Sequence, residues 1–254
     1  MAVNGKSVLM VTFEATPFVK VGGLAEVPSN LARYLSSLGW RSLVALPSHA
    51  PTGSRGEKII DSFTTPMGEV FVGIGTWYNV TFLLFSGSVL SNSAVYSEDV
   101  MESKVKLFAT SLSIFLSRAD ELLGGFPNII HFHDWHSVYS LIKLKHDFPS
   151  GKWYSAFHIH LLVKRRIKPE IFPELGVPLD WVHEIRIDGR KETYTLEEAL
   201  ARSNFIAEKV GAYEADRLIT VSKAYLHDEV LPFLGHGFSE KSRVIYNATD
   251  WTFE

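Results

Sequence analysis

The segment Lys20-Val21-Gly22-Gly23-Leu24-Ala25-Glu26-Val27 stands between an apolar run, residues 8–13, and an apolar pattern of helical spacing over residues 24–38. The run predicts a buried strand, and the spacing predicts a helix. Two adjacent glycines allow a tight turn between these elements and a close approach of a ligand. The free N–H groups and positive dipole end of the helix, with the charge of Lys20 beside them, favour a phosphate-bearing ligand.

The composition is that of an ordinary globular protein. The chain has 254 residues, 46% hydrophobic and 21% charged, with a net charge of −3. The lysines and arginines form no basic stripe, which argues against nucleic acid as a partner. The absence of cysteine excludes disulfides and thiolate chemistry. No signal peptide is recognisable, and no apolar stretch approaches the roughly 20 residues that cross a bilayer, so we expect a cytoplasmic protein without a membrane partner.

Strand and helix patterns alternate along the whole chain. Strands are predicted at 42–46, in short runs between 59 and 85, and at 128–132, 154–159, 217–221 and 243–245. Helices are predicted at 101–123, 135–145 and 196–210, and from an N-cap at Ser222 to residue 231. Residues 164–195 show no clear period and are interpreted as an irregular excursion. The alternation predicts an α/β fold, a Rossmann-like parallel sheet with helices on both faces.

Polar side chains follow three of the predicted strands. Glu14 and the glycine turn follow the first strand, residues 131–136 (HFHDWH) end the strand at 128–132, and His158-Ile159-His160 end the next. Ligands of such sheets bind beyond the carboxyl ends of the strands, so these residues are predicted to share one cleft. Simpler interpretations exist: Asp134 has the character of a helix N-cap, and His131 and His158 that of hydrogen-bonded core histidines.

The histidine-rich run allows a second interpretation, a metal-dependent hydrolase. His131, His133, Asp134 and His136 come close to the H-x-H-x-D-H run of metallo-β-lactamase-type hydrolases, although the aspartate stands one position early. A third possibility is a non-catalytic carbohydrate-binding module. Nucleophile-elbow, P-loop and dinucleotide-binding fingerprints are absent from the sequence, which argues against the commonest hydrolases, NTPases and dehydrogenases.

Six motifs in this order resemble those of the glycogen and starch synthases, and the compact layout is most similar to the archaeal branch of that family. The first, at residues 20–27, resembles K-x-G-G-L-(G/A)-(D/E)-V, and residues 47–49 are similar to a P-x-(H/Y) turn. Residues 131–136 match H-x-H-D-W-H, and residues 157–160 (FHIH) resemble F-T-(I/V)-H. Residues 215–225 are similar to A-D-x-(I/V)-x-T-V-S-x-x-Y, and residues 246–250 to the (Y/P)-N-G-I-D hinge.

The resemblance implies the GT-B architecture, two Rossmann-like domains with the active site between them. On this basis residues 1–245 are expected to form the N-terminal, acceptor-side domain, and residues 246–254 the start of the interdomain hinge, with the second domain absent. The chain departs from the pattern at Glu26, where aspartate is commoner, and at Ala248-Thr249, which replace Gly-Ile in the hinge.

The family resemblance also implies the reaction: a retaining extension of α-1,4-glucan from ADP- or UDP-glucose, with a maltooligosaccharide or glucan acceptor and no metal or other cofactor. It points to His160 and Asp134 as catalytic residues. Residues that contact substrate are expected to be Lys20, Gly22, Gly23, Tyr96, His133 and Trp135. Because no nucleophilic carboxylate is recognisable, transfer is expected on the front face without a covalent intermediate. The isolated domain is expected to be inactive.

Overall fold

The apolar run near the N-terminus forms the central strand of the sheet. The computed structural model describes residues 5–148, 151–187 and 190–247. Strand β1 (Ser7–Val11) is buried along its whole length and pairs in parallel with a strand on each side. A strand that is covered on both faces must be apolar at successive positions rather than at alternate ones, as this run is.

Among the described residues, nine strands form one sheet and two more form a separate hairpin. The remaining strands of the large sheet are β2 (Arg41–Pro47), β3 (Lys58–Thr65), β4 (Gly68–Trp77), β5 (Val80–Ser86), β6 (Ile129–His133), β7 (Tyr154–Ile159), β10 (Arg217–Thr220) and β11 (Ser242–Val244). Their order is β11-β10-β7-β6-β1-β2-β5-β4-β3. All pairings from β11 to β5 are parallel, whereas β4 runs antiparallel to both of its neighbours. The hairpin consists of β8 (Val182–Ile187) and β9 (Arg190–Thr195).

Helices cover both faces of this sheet. They are α1 (Glu26–Ser37), α2 (Glu98–Ser117), α3 (Ala119–Leu123), α4 (Val138–Asp147), α5 (Ile171–Glu174), α6 (Leu196–Arg202), α7 (Ala207–Glu214), α8 (Lys223–Tyr225) and α9 (Leu231–Leu234). The chain moves from β1 to β2 in one direction along the sheet and from β6 to β7 in the other. Right-handed crossovers therefore place α1 and α4 on opposite faces. Helices α2 and α7 both pack against α4.

The order of the strands creates one reversal point, between β1 and β6. From β1 the chain proceeds through β2 to β5, and it then returns to lay β6 on the other side of β1. The helices that follow β1 and β6 diverge to opposite faces, which leaves a crevice beyond the carboxyl ends of these two strands. Residues 12–27 and 134–137 border this crevice.

Three predicted helical or irregular segments differ from the structure. The helix predicted at 101–123 is interrupted at Arg118, between α2 and α3. The helix predicted at 196–210 is wrong as a single element, because Asn204 and Phe205 adopt positive φ angles and separate α6 from α7. The excursion at 164–195 contains α5 and the β8–β9 hairpin. The N-cap at Ser222 is confirmed, since its Oγ accepts a hydrogen bond from the N–H of Tyr225.

Helix α7 approaches the sheet closely because it carries a glycine at its contact point. A Cβ added to Gly211 would lie 2.5 Å from Cε1 of Phe157, a fully buried ring on β7. We expect Gly211→Ala to lower the free energy of unfolding by about 1–3 kcal/mol through overpacking, despite the better helix propensity of alanine. Urea unfolding monitored by circular dichroism measures this change.

The matched control for this prediction is Gly23→Ala, because a Cβ at Gly23 meets nothing within 4 Å. It should change stability by no more than about 0.5 kcal/mol. In the double variant that combines Gly211→Ala with Phe157→Leu, the smaller side chain should recover part of the loss. Full stability of Gly211→Ala alone would contradict the close contact.

Candidate active site

A cavity of about 560 Å³ occupies the crevice at the reversal point of the sheet. One wall comes from the β1 end and the start of helix α1. The opposite wall comes from the ends of β6 and β7 and from segments that sequence analysis left unassigned. The lining residues are Glu14, Gly23, Leu24, Val27, Tyr96, Glu98, Asp134, Trp135, His136, His160, Leu161, Val163, Arg165 and Asn247. Five of the eight predicted site residues are among them.

Glu14 holds the glycine turn in place from the end of β1. One carboxylate oxygen, Oε2, accepts hydrogen bonds from the N–H groups of Val21 (2.6 Å) and Gly22 (2.7 Å). The other, Oε1, accepts a hydrogen bond from the hydroxyl of Tyr96 at 3.0 Å. The side chain is buried within this set of donors. The Gly22 N–H is thus bonded to the protein itself, and the residues of the segment that line the cavity are Gly23, Leu24 and Val27.

Lys20 lies outside the cavity, on the surface of the same turn. Its ammonium forms an ion pair of 2.6 Å with Glu26, and the two side chains are 59% and 44% exposed. Glu26 also accepts a hydrogen bond from the hydroxyl of Thr16. The glutamate that departs from the family pattern is therefore the residue that orients the lysine in this structure.

Asp134 joins the ends of β6 and β7 through an unusual backbone geometry. Its φ of 58° and ψ of 175° fall in a region that residues other than glycine rarely adopt. The carboxylate Oδ1 accepts a hydrogen bond from the N–H of His160 at 2.8 Å and a longer one, 3.4 Å, from that of Leu161. Asp134 does stand at the N-cap position of the helical turn that follows, as predicted, but its side chain makes no capping hydrogen bond there.

Burial raises the pKa of Asp134 to about 7, although the two N–H donors act in the opposite direction. Nearby carboxylates, among them Glu14, add to the rise. A carboxyl group with a pKa near neutrality can both accept and donate a proton at physiological pH, which is a property of catalytic acids and bases.

His160 belongs to a stack of four imidazole rings. Its Nε2 lies 3.0 Å from Nδ1 of His133, and its ring stacks on that of His158 with centroids 3.9 Å apart. His131 completes the stack, with its centroid 4.4 Å from that of His133. Of the four, His160 alone lines the cavity, so His133 is separated from any ligand there by His160.

These rings are neutral, because burial lowers their pKa values. The pKa of His160 falls to about 3 and that of His131 to about 4, and those of His133 and His158 lie well below the usual value. His131 and His158 were predicted to be hydrogen-bonded histidines of the core. Both are buried, as predicted, but the predicted hydrogen bonds are incomplete. Nε2 of His131 and both nitrogens of His158 find no partner within the described part of the chain. Each such buried group costs about 1–3 kcal/mol if it stays unsatisfied.

Tyr96 and His136 form the floor between the two walls. The ring of His136 stacks on Phe13 with centroids 4.6 Å apart and faces Tyr96 at 5.9 Å. Burial and the neighbouring Glu14 raise the pKa of Tyr96, so its hydroxyl remains a donor. Tyr96, which the family resemblance predicted to contact substrate, is one of the residues that line the cavity.

The outer rim contains an ion pair that sequence reasoning missed. The guanidinium of Arg165 forms a two-pronged ion pair with Glu98 and lies over the ring of Trp135 at 5.1 Å. The backbone N–H groups of Lys164 and Arg165 donate to the buried carboxylate of Glu208. Residues 164–195 gave no periodic signal, and a contact between residues 98 and 165 has no local signature. Glu14, in contrast, could have been assigned to the site from the sequence, because it is an acidic residue directly after an apolar strand.

The ligand set of a metal hydrolase is not assembled here. Of the residues that the structure describes, His131, His133 and His158 each place a ring nitrogen within 4.8 Å of the other two, and no further group meets this spacing. Asp134 bonds to the backbone of the β7 end, and His136 lies between Phe13 and Tyr96. The structure therefore does not favour a hydrolase built on His131, His133, Asp134 and His136.

None of the described helices has the length and apolarity needed to span a bilayer.

Comparison with known sequences agrees with the motifs. Residues 7–243 match the family model of the starch synthase catalytic domain. The glycogen synthase of Lachnospira eligens is 27% identical over 256 residues, an alignment that covers 95% of this chain and 50% of the relative. Glycogen synthase 1 of Geobacter sulfurreducens is 29% identical over 255 residues, which cover 91% of this chain and 47% of the relative. The chain thus spans about half the length of the curated relatives it matches.

A solved structure shows the same fold. The catalytic domain of starch synthase IV from Arabidopsis thaliana, determined with bound ADP and acarbose, superposes with a TM-score of 0.71 at 18% identity. The match covers 97% of this chain and 52% of that protein. The predicted fold class, the Rossmann-like half of a GT-B glycosyltransferase, is confirmed. With 237 of its residues inside the family match, the chain belongs to the family of the starch synthase catalytic domain, which includes the glycogen synthases.

Proposed function

We propose that this chain is the N-terminal, acceptor-side half of a retaining glucosyltransferase that extends α-1,4-glucan from ADP- or UDP-glucose. The observation that carries the proposal is the cavity at the sheet reversal, where Asp134 and His160 meet the glycine turn. Residues 1–245 would form this half and residues 246–254 would begin the hinge. Within the hinge, Asn247 lines the cavity, whereas Ala248, Thr249 and Asp250 lie outside the described residues. A cytoplasmic location is part of the same proposal.

The cavity suits a sugar at the β6 and β7 ends. Oδ1 of Asp134 accepts a hydrogen bond from the backbone N–H of His160, which leaves the second carboxylate oxygen for a sugar hydroxyl. His160 lines the cavity as a neutral ring. Its Nδ1 is buried and has no partner among the described residues, so it would bond a second hydroxyl only after the ring turns toward the cavity. His133 would act through His160 by holding its Nε2, and Trp135 would pack against acceptor or donor sugar.

The departing diphosphate would lie against the opposite wall. The turn Gly23–Ala25 leads into α1 and presents the positive end of the helix dipole, worth about 0.3–1 kcal/mol and up to ~2 kcal/mol when partly buried. Glu14 already binds the N–H groups of Val21 and Gly22, so phosphate oxygens must displace it or use the turn beyond it. Lys20 can reach the ligand only by leaving Glu26.

The reaction as proposed needs no metal, because the donors on this wall and those of a second Rossmann domain stabilise the leaving group. The Arabidopsis starch synthase was solved with ADP and acarbose, a nucleoside diphosphate and an oligosaccharide analogue. Ligands of these two classes agree with the proposed division of the cavity. Transfer on the front face is supported by the other two carboxylates of the lining, which are already engaged. Glu14 accepts hydrogen bonds from the turn and from Tyr96, and Glu98 is paired with Arg165.

The test uses the purified 254-residue chain with glycogen and either ADP-glucose or UDP-glucose. We expect no glucosyl transfer above background, because half of the site is missing. Calorimetry should still detect maltooligosaccharide binding at millimolar levels, weakened in His160→Ala and unchanged in the control His146→Ala, whose ring contacts Asp147 and Trp181 away from the cavity. Robust turnover by the chain would contradict its role as a half-site, and binding unaffected by His160→Ala would instead indicate a non-catalytic binding module.

A further inference from the structure

A group of three buried histidines lies behind the cavity and takes no direct part in the proposed reaction. His131 and His133 alternate along β6, so both side chains project from the same face of the sheet. His158 stands on β7 directly beside His133 in the parallel register. The three side chains are 4%, 0% and 0% exposed, respectively.

Their ring nitrogens converge. One nitrogen from each histidine lies within 4.8 Å of the other two. Nε2 of His131, Nε2 of His133 and both nitrogens of His158 have no hydrogen-bond partner in the ranges that the structure describes. Buried polar atoms in folded proteins are almost always satisfied, so unpartnered nitrogens on three neighbouring rings indicate a ligand among them.

We propose that His131, His133 and His158 bind a divalent transition-metal ion of the zinc type. Two histidines at alternate positions of a strand plus one from the adjacent strand supply the imidazole nitrogens that zinc, copper and nickel prefer. In tetrahedral coordination at 2.0–2.1 Å the nitrogens stand about 3.3 Å apart, so nitrogens that lie within 4.8 Å of one another approach by at most about 1.5 Å. The stacked rings also turn on binding, so that their nitrogen lone pairs meet at the ion. A water completes the shell.

His160 is the outer-shell partner of this site. Its Nε2 contacts Nδ1 of His133 at 3.0 Å, which leaves Nε2 of His133 for the metal. Metal-bound histidines usually have their second nitrogen hydrogen-bonded in this way, which sets the tautomer. The ion stabilises the ends of β6 and β7. It takes no part in the proposed transfer reaction, which uses no metal.

His158 departs from the motif that residues 157–160 resemble. In the motif that residues 157–160 resemble, threonine occupies the position of His158. The variant His158→Thr therefore restores the family pattern and removes one ligand at the same time. Its matched control is His136→Leu, which removes another buried histidine of the same motif whose two ring nitrogens also lack partners among the described residues.

The experiment titrates zinc chloride into the chelator-treated 254-residue chain by calorimetry, with cobalt(II) absorption as a second measurement. We expect one zinc per chain with micromolar or tighter affinity, a higher melting temperature with zinc, and the visible absorption of four-coordinate cobalt. His158→Thr should lower the affinity for zinc by more than the roughly 10–100-fold that is typical when a residue behind a metal ligand is lost. His136→Leu should still bind one zinc per chain.

Three outcomes would overturn the proposal. The unmodified chain could bind no zinc at micromolar concentrations, which decides the matter even if a variant fails to fold. His158→Thr could bind zinc as tightly as the unmodified chain, which would place the ion elsewhere. Cobalt could give the weak spectrum of a six-coordinate, surface-bound ion. None of these results depends on glucosyl transfer.

Discussion

Asp134→Asn should reduce glucosyl transfer by about 10²–10³-fold in a two-domain protein that contains this chain, the magnitude expected for one preorganised electrostatic group. The asparagine oxygen can still accept the N–H of His160, so the connection between β6 and β7 persists. What disappears is the negative charge and proton capacity beside the reacting sugar. Steady-state kinetics with both sugar nucleotides measure the change.

The same variant should have a higher free energy of unfolding than the unmodified chain, with both proteins measured in the presence of a metal chelator. A pKa raised from 3.8 to about 7 means that the folded state disfavours the charged carboxylate, so stability decreases as pH rises from 3.8 through 7. Removing the charge should therefore increase the free energy of unfolding by on the order of 2–4 kcal/mol at pH 8, and by roughly 1 kcal/mol less at pH 6.

Asp180→Asn, which changes an exposed aspartate, is the control for both measurements and should alter neither. A loss of activity that accompanies a lower melting temperature would show that Asp134 acts structurally. Equal stability gains at pH 6 and pH 8 would show that the burial of its charge is not the cause.

Glu214→Gln should lower the free energy of unfolding by about 3–5 kcal/mol, because it leaves the largely buried ammonium of Lys145 without its charged partner. The carboxylate of Glu214 is fully buried, 2.7 Å from Nζ of Lys145 and 2.9 Å from Nε2 of His183. Burial alone would raise its pKa, but Lys145 and His183 hold that pKa at about 2. Urea unfolding at pH 7 should detect the loss, and the melting temperature should fall by roughly 10 °C.

The sign of the pH dependence follows from the lowered pKa of Glu214. The carboxylate contributes its full stabilisation above pH 4.5 and loses it as pH falls toward 2. Acid unfolding of the variant should begin at a higher pH than in the unmodified chain. Glu184→Gln is the matched control: its ion pair with Lys191 is 2.6 Å long, but both side chains are 57% exposed, so solvent screens the pair and its loss should leave stability unchanged. Similar losses in the two variants would contradict a special contribution from the buried pair.

Sequence patterns located most of the site because its residues follow strand ends. Asp134, Trp135 and His160 directly follow or end β6 and β7, and Gly23 follows β1, so local patterns sufficed to place them in one crevice. Lys20 and His133 belong to the same motifs but not to the cavity lining. Whether a motif side chain faces a ligand depends on its neighbours, here Glu26 for the lysine and His160 for His133.

Helix continuity was predicted less well than strand position. Apolar spacing continues across residues 203–206, yet two consecutive positive φ angles divide α6 from α7 there. Such a break is stabilised by contacts remote in sequence, among them the N–H of Ile167 that donates to the carbonyl of Phe205. A periodic pattern records which face is buried but not where the backbone turns.

The amino-acid sequence alone determined the strand–turn–helix unit around Lys20–Val27, the parallel α/β class and the family, because these depend on local propensity and on motifs a few residues long. Only the tertiary structure decided that Glu14 occupies the N–H groups of that turn, that Arg165 and Glu98 close the rim, and that His158 joins His131 and His133. Contacts within the site join residues up to 82 positions apart, as in the hydrogen bond from Tyr96 to Glu14, and they arise where the sheet order brings strand ends together. Their distances and pKa shifts depend on burial, which is a property of the packed chain.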